Sequence, residues 1–231
     1  MSYADEFRTF VKTAGELKPE GSTQSGSSKA HYLLRNPQMR EFVKGWAREH
    51  PDLRYDEWES LMTELYAGET TDEVCLAGMM LGHYKPFRQQ APLDVLDSWI
   101  GQLEGWREID TTCQSNYTAQ ELLAEWDSWD DFLLGLATRD TIQHRRASLV
   151  LLVKPVRDSA DSRLIDTALA NVERLKGETD ILITKAISWV LREAVKRHRE
   201  AVGAYVEANA ESLPAIAVRE FKKKFETGKK T

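Results

Sequence analysis

The sequence predicts an all-α protein, and three observations carry that prediction. Apolar residues return at i, i+3, i+4 and i+7 in one segment after another, which places them on one face of a helix. Helix-start residues stand where those segments begin. No alternating apolar–polar run is bounded by a hairpin turn, so nothing reads as a strand.

The first stripe is Phe7, Phe10, Val11 and Ala14. Residues 15–30, GELKPEGSTQSGSSKA, are rich in Gly and Ser and read as a flexible loop. Asn36-Pro37 then opens a helix with the proline in its first turn, where a missing N–H costs nothing, and Met39, Phe42, Val43 and Trp46 form its stripe. Trp58, Leu61, Met62 and Leu65 form the next. Thr70 with Glu73 and Thr118 with Glu121 have the spacing of capping boxes, and Pro92 opens a segment bearing Leu93, Leu96, Ile100 and Leu103. Ala119, Leu122, Leu123 and Trp126 make one stripe, and Trp129, Phe132, Leu133 and Leu136 another. The run ASLVLLV (147–153) is apolar all round. A capped start at Asp140 favours a buried central helix there over a strand. Many helices of similar length with short connections fit stacked antiparallel pairs, a HEAT-like superhelical array over residues 1–231 as a single domain. The concave side of such an array is its expected binding face, and a closed bundle fits the pattern as well.

Composition narrows the function. At 231 residues, with 42% hydrophobic and 29% charged, the chain has the make-up of a soluble globular protein. No run is long enough to span a membrane, and the start, MSYADEFRTF, is acidic and amphipathic rather than signal-like. Cys75 and Cys113 are too few and too isolated for a disulfide framework or a zinc site. The expectation is a cytoplasmic monomer without metal or cofactor. Net charge is −6, unevenly spread: residues 1–141 carry 13 Lys/Arg against 25 Asp/Glu, and residues 142–231 carry 18 against 12. That asymmetry fits a polyanion partner at one end, or two differently solvated halves.

Three placements stand out. In TKAISWVLREAVKR, a helical wheel from Ile183 puts Ile187, Val190, Leu191 and Ala194 on one stripe. Lys185, Trp189, Arg192 and Lys196 fall opposite it. The tryptophan either packs on a neighbouring helix or sits among cations to receive a nucleic acid. Arg146 shares the arc of Ile142, Leu149 and Val153, so its guanidinium is either paired internally or reaches past the core to grip a phosphate. Trp106 and Asp110, four apart, share a helix face, as a cap beside a core aromatic or as a site.

At these residues the chain resembles the bacterial DNA alkylation repair family, the HEAT-like-repeat DNA glycosylases of the AlkD type. The match is closest in TKAISWVLREAVKRHREAVGAYVEANAESL, which is similar to that family's KAIGWVLRE helix and the helix after it. WREID keeps the family's Trp-x-x-x-Asp spacing, RDTIQHRRAS places Arg146 at the family arginine, and YLLRNPQMREF is similar to its N-terminal GV-x-x-P-x-x-R stretch. Leu33 stands where the family usually has glycine. Gly105 and Arg107 flank Trp106 where it often has another aromatic and an acid.

The resemblance implies an all-α superhelix holding duplex DNA in a concave groove, and hydrolysis of the N-glycosidic bond of N3- and N7-alkylated purines. It implies Asp110 as the catalytic carboxylate, Trp106 and Trp189 as walls at the lesion, and Arg146 as a DNA-backbone contact. Lys185, Arg192 and Lys196 would add cations to the groove. A non-catalytic DNA-binding protein for damaged or branched DNA, and a protein-interaction scaffold, are the competing readings.

Overall fold

The computed structural model describes residues 2–18 and 26–229, so part of the loop expected over 15–30 lies outside the described residues. Every named element is an α-helix, and two isolated bridges, Lys18 with His31 and Ala30 with Thr70, are the only strand-like pairings among the described residues. The chain divides into two compact units, Met1–Thr112 and Cys113–Thr231.

The first unit holds α1 (Tyr3–Ala14), α2 (Asn36–Glu49), α3 (Tyr55–Tyr66), α4 (Thr71–His83), α5 (Lys85–Gln90), α6 (Leu93–Gly101) and α7 (Trp106–Cys113), the last running one residue past its boundary. Helix α1 packs on α3 and α2 on α4, so successive helix pairs stack in two layers. The core helix is α4. Its Val74, Cys75, Leu76, Ala77, Met80 and Leu81 are all fully buried, and the Thr70–Glu73 capping box forms at its start as the spacing requires.

The second unit holds α8 (Ala119–Ala124), α9 (Trp126–Leu136), α10 (Ile142–Asp158), α11 (Ser162–Leu175), α12 (Ile181–Ala194), α13 (Arg199–Ala208) and α14 (Ala215–Thr227). One layer runs α10, α12, α14 and the other α9, α11, α13. ASLVLLV lies in α10 with every residue buried, because this helix is contacted from both layers.

Three boundaries differ from the sequence expectation. Glu125 breaks out of helix (φ −130°, ψ 46°), so Trp126 opens α9 instead of closing α8. Helix α10 begins at Ile142 with Thr141, not Asp140, at its N-cap. Helix α12 ends at Ala194, so Lys196 lies in the turn beyond it rather than on the helix.

Leu33 has φ 57°, the one non-glycine residue with positive φ among the described residues. That left-handed conformation crowds a Cβ against the backbone at about 1–2 kcal/mol, a cost glycine avoids. The departure from the family's glycine thus falls where glycine is favoured. Leu33 is 45% exposed, so its side chain recovers little by burial. Leu33→Gly is therefore expected to leave stability unchanged or raise it by up to about 1 kcal/mol in urea melts. A loss above about 1 kcal/mol would mean that the leucine side chain stabilises the loop.

Candidate nucleic-acid interface

Each unit carries one set of the residues singled out in the sequence. In the first, α7 carries Trp106 and Asp110 one turn apart on the same face. Trp106 is 42% exposed, one of few large apolar side chains at the surface, and Asp110 is half-buried. The opposite face of α7 is anchored: Glu108, Ile109 and Thr112 are fully buried, and Thr112 Oγ1 lies 3.3 Å from the Tyr66 hydroxyl.

What fixes the start of α7 is a buried polar network. Glu108 accepts hydrogen bonds from Ser27 Oγ (2.7 Å), Thr71 Oγ1 (2.9 Å) and the Glu104 backbone N–H (2.8 Å). Arg107, on the next face, donates from Nη2 to the Leu34 carbonyl (2.6 Å) and from Nη1 to His31 Nε2 (2.6 Å). Because a guanidinium only donates, Nε2 is the acceptor and the ring proton sits on Nδ1, which faces Asp72 Oδ2 at 2.6 Å. Asp72, wholly buried, also accepts from the N–H groups of Tyr32 (2.5 Å) and Leu34 (3.1 Å) and lies 3.5 Å from Arg107. The loop bearing Leu33 and the helix bearing Asp110 are thereby tied into one body.

A close backbone approach adds to this. A Cβ at Gly78 of α4 would lie 2.9 Å from the carbonyl carbon and oxygen of Thr111. Backbone cannot yield as a side-chain end can, so Gly78→Ala must push α7 away. The expected result is a loss of about 1–3 kcal/mol in a denaturation melt. A variant as stable as the parent would show that α7 slides freely on α4.

The cysteines offer no nucleophile. Burial pushes the Cys75 thiol up to about 12, and Cys113 is also buried. Among the described residues no group of three or more His, Cys, Asp or Glu is placed to hold a metal ion. Among them, too, no helix is long and apolar enough to cross a membrane.

In the second unit, the wheel holds within α12. Ile183, Ile187, Val190, Leu191 and Ala194 are buried, Lys185 is exposed, and Trp189 and Arg192 are half-buried. Lys185 makes no ion pair with a described residue. Arg192 is partly compensated: Nε donates to the Ser188 carbonyl (3.2 Å) and Nη1 lies 3.4 Å from Glu220 of α14, which also accepts from Ser188 Oγ (2.6 Å). Lys196, in the turn, lies 3.9 Å from Asp158. Arg146 is buried, 4% exposed, and its Nη1 donates to the Leu182 carbonyl in the first turn of α12. In this conformation it braces α12.

The sequence singles out residues on the outer faces of α7 and α12 and misses the network behind α7. Glu108, midway between Trp106 and Asp110, was the visible cue. Asp72, hidden beside a cap, gave no cue at all, since its partners lie about 40 residues away.

Stacked helix pairs in two layers within each unit define an all-helical repeat protein. A family profile described as "DNA alkylation repair enzyme" matches residues 7–225, and the chain belongs to that family of DNA repair enzymes. Among solved structures it is similar to a "Predicted DNA alkylation repair enzyme from Enterococcus faecalis", with 14% identity and a TM-score of 0.69. The match covers 95% of this chain and 93% of that one; at this identity it speaks to the fold alone. No curated protein matches the chain.

Proposed function

We infer that the protein is a DNA glycosylase that excises cationic N3- and N7-alkylated purines from duplex DNA. The observation that carries the reading is the face of α7, where a half-buried carboxylate stands one turn from an exposed tryptophan in a chain of the DNA alkylation repair family. A purine alkylated at N3 or N7 carries a formal positive charge, so it leaves as a neutral base and needs no general acid. The C1′–N bond breaks, positive charge develops on the sugar, and water adds at C1′ to leave an abasic site. One carboxylate, Asp110, stabilises that charge and orients the water, where ordinary glycosidases use two. Trp106 and Trp189 present π-faces to the cationic base, each worth about 0.5–2 kcal/mol.

Lys185, Arg192 and Lys196 supply backbone contacts in this reading. For Arg146, contact with a phosphate requires the guanidinium to leave the Leu182 carbonyl. The working unit is the whole chain, 1–231, acting on duplex DNA as a cytoplasmic monomer. The test is chromatography of free 3-methyladenine and 7-methylguanine after incubation with methylated duplex. Release by the native protein supports the reading. Salt-sensitive binding without release would leave a non-catalytic DNA-binding protein.

A further inference from the structure

The first unit is acid-rich, with 12 Lys/Arg against 19 Asp/Glu over residues 1–112, yet its cations are not spread evenly. Residues 29–48 carry five Lys/Arg and one Asp/Glu. On α2, Arg40, Lys44 and Arg48 recur at i, i+4 and i+8, all exposed. They fall within about 80° of one another on the wheel and extend over about 12 Å of helix axis. The buried residues Met39, Val43 and Trp46 occupy the other side.

Several surface cations elsewhere in the unit find carboxylates, Arg8 with Glu73 at 3.0 Å, Lys18 with Glu16, and Arg54 with Asp56 at 3.0 Å, while Lys12 and Lys85 stand singly at the surface. Arg40, Lys44 and Arg48 make no ion pair with any described residue, and Glu41 is the lone acid on their face. Arg35, exposed just before the helix, is likewise without one. What sets the three apart is their alignment, which makes a local positive strip in a unit with an excess of acid. A second feature agrees. Gly45 lies mid-helix beside the row, where a glycine costs about 1 kcal/mol relative to alanine, and a Cβ there would meet nothing within 4 Å. Packing within the chain does not require it, whereas close approach by a partner's backbone would.

We propose that the outer face of α2, through Arg40, Lys44 and Arg48, is a second DNA-backbone contact surface, in addition to the cations of α12. Its partner is duplex DNA of any sequence, since three flexible cations in a row match a line of phosphates and carry no base readout. With one charge per about 3.4 Å along each strand, a row of about 12 Å covers three or four phosphates. The proposal rests on the DNA partner of the reading above and not on its glycosylase chemistry.

The test is fluorescence anisotropy of an undamaged duplex of about 20 base pairs over a salt series, a length set by the roughly 12 Å footprint plus flanks. The native protein is compared with the triple variant Arg40→Gln/Lys44→Gln/Arg48→Gln and with Lys185→Gln, each checked by circular dichroism. Three lost contacts should reduce the slope of log K against log salt by about 2–3, and one by about 1. A slope lowered in the triple variant upholds the surface even if no protein releases a methylated purine, in which case only the glycosylase reading falls. A slope unchanged in the triple variant but lowered in Lys185→Gln overturns the surface and leaves that reading intact. A native protein that binds no duplex at low salt overturns the surface outright.

Discussion

Asp110→Asn is expected to lower the rate of methylated-purine release by about 100- to 1000-fold, the range seen when one preorganised electrostatic group is removed from a developing charge. Asparagine keeps the size and shape of the side chain but carries no charge to set against the oxocarbenium-like sugar. Asp110 is half-buried on the face of α7 away from Glu108 and Thr112, and a urea melt of the variant reads any structural part of the change. Removing a negative charge from a surface that meets phosphates should hold DNA affinity constant or raise it. The diagnostic pattern is therefore a collapsed rate constant at saturating DNA with binding retained, measured by single-turnover release and by anisotropy. Equal release by the variant and the native protein would move the catalytic group elsewhere. Loss of binding in parallel with loss of rate would make Asp110 a structural residue.

Selectivity follows from the same chemistry. On the glycosylase reading, a site with one carboxylate and no matched histidine lacks a general acid for a neutral leaving group. Neutral alkylated bases should therefore persist under conditions that release cationic ones. The two indoles act in the same direction, since a π-face attracts a cation and is nearly indifferent to its neutral counterpart.

How much of this was legible in the sequence depends on the range of the interaction. Helices were legible because their signals are local: the capping boxes at Thr70 and Thr118 and the stripe of Trp58, Leu61, Met62 and Leu65 depend on residues within two turns. The errors at Trp126 and Lys196 are boundary errors, where an apolar or cationic residue continues the period past the point at which the backbone leaves helix, and at Asp140 two adjacent residues could each cap the helix start. The buried stripe of α12 was legible because a wheel separates it from the face bearing Lys185, Trp189 and Arg192. Arg146 was left with two readings, and its contact with a backbone carbonyl 36 residues away is one that periodicity does not carry. Leu33 was visible only as a departure from a family glycine, and its φ of 57° supplies the physical content of that position. Asp72 was invisible, since a carboxylate in the first turn of a helix normally needs no partner other than the helix N-terminus.

Asp72→Ala should cost about 3–5 kcal/mol of stability. Four donors converge on that buried carboxylate: the N–H groups of Tyr32 and Leu34, His31 Nδ1 and, at 3.5 Å, the Arg107 guanidinium. Alanine would leave the two N–H groups and His31 Nδ1 without this acceptor and Arg107 without its counter-charge, and an orphaned buried donor costs about 1–3 kcal/mol by itself. Asp72→Asn keeps an acceptor but loses the charge, so its loss should be intermediate. The pair need not be favourable relative to apolar replacements, because desolvating two charges offsets much of their attraction. A double-mutant cycle separates these terms. Asp72→Leu with Arg107→Met should recover part of the loss shown by either single variant, giving a coupling of at least about 1 kcal/mol. Additive losses would mean that Arg107 and Asp72 act independently. Recovery of stability without recovery of base release would be the most informative result. It would show that the network's chemistry, beyond its volume, sets where α7 presents Trp106 and Asp110, since an apolar pair fills the space but no longer ties Arg107 to His31 and the Leu34 carbonyl.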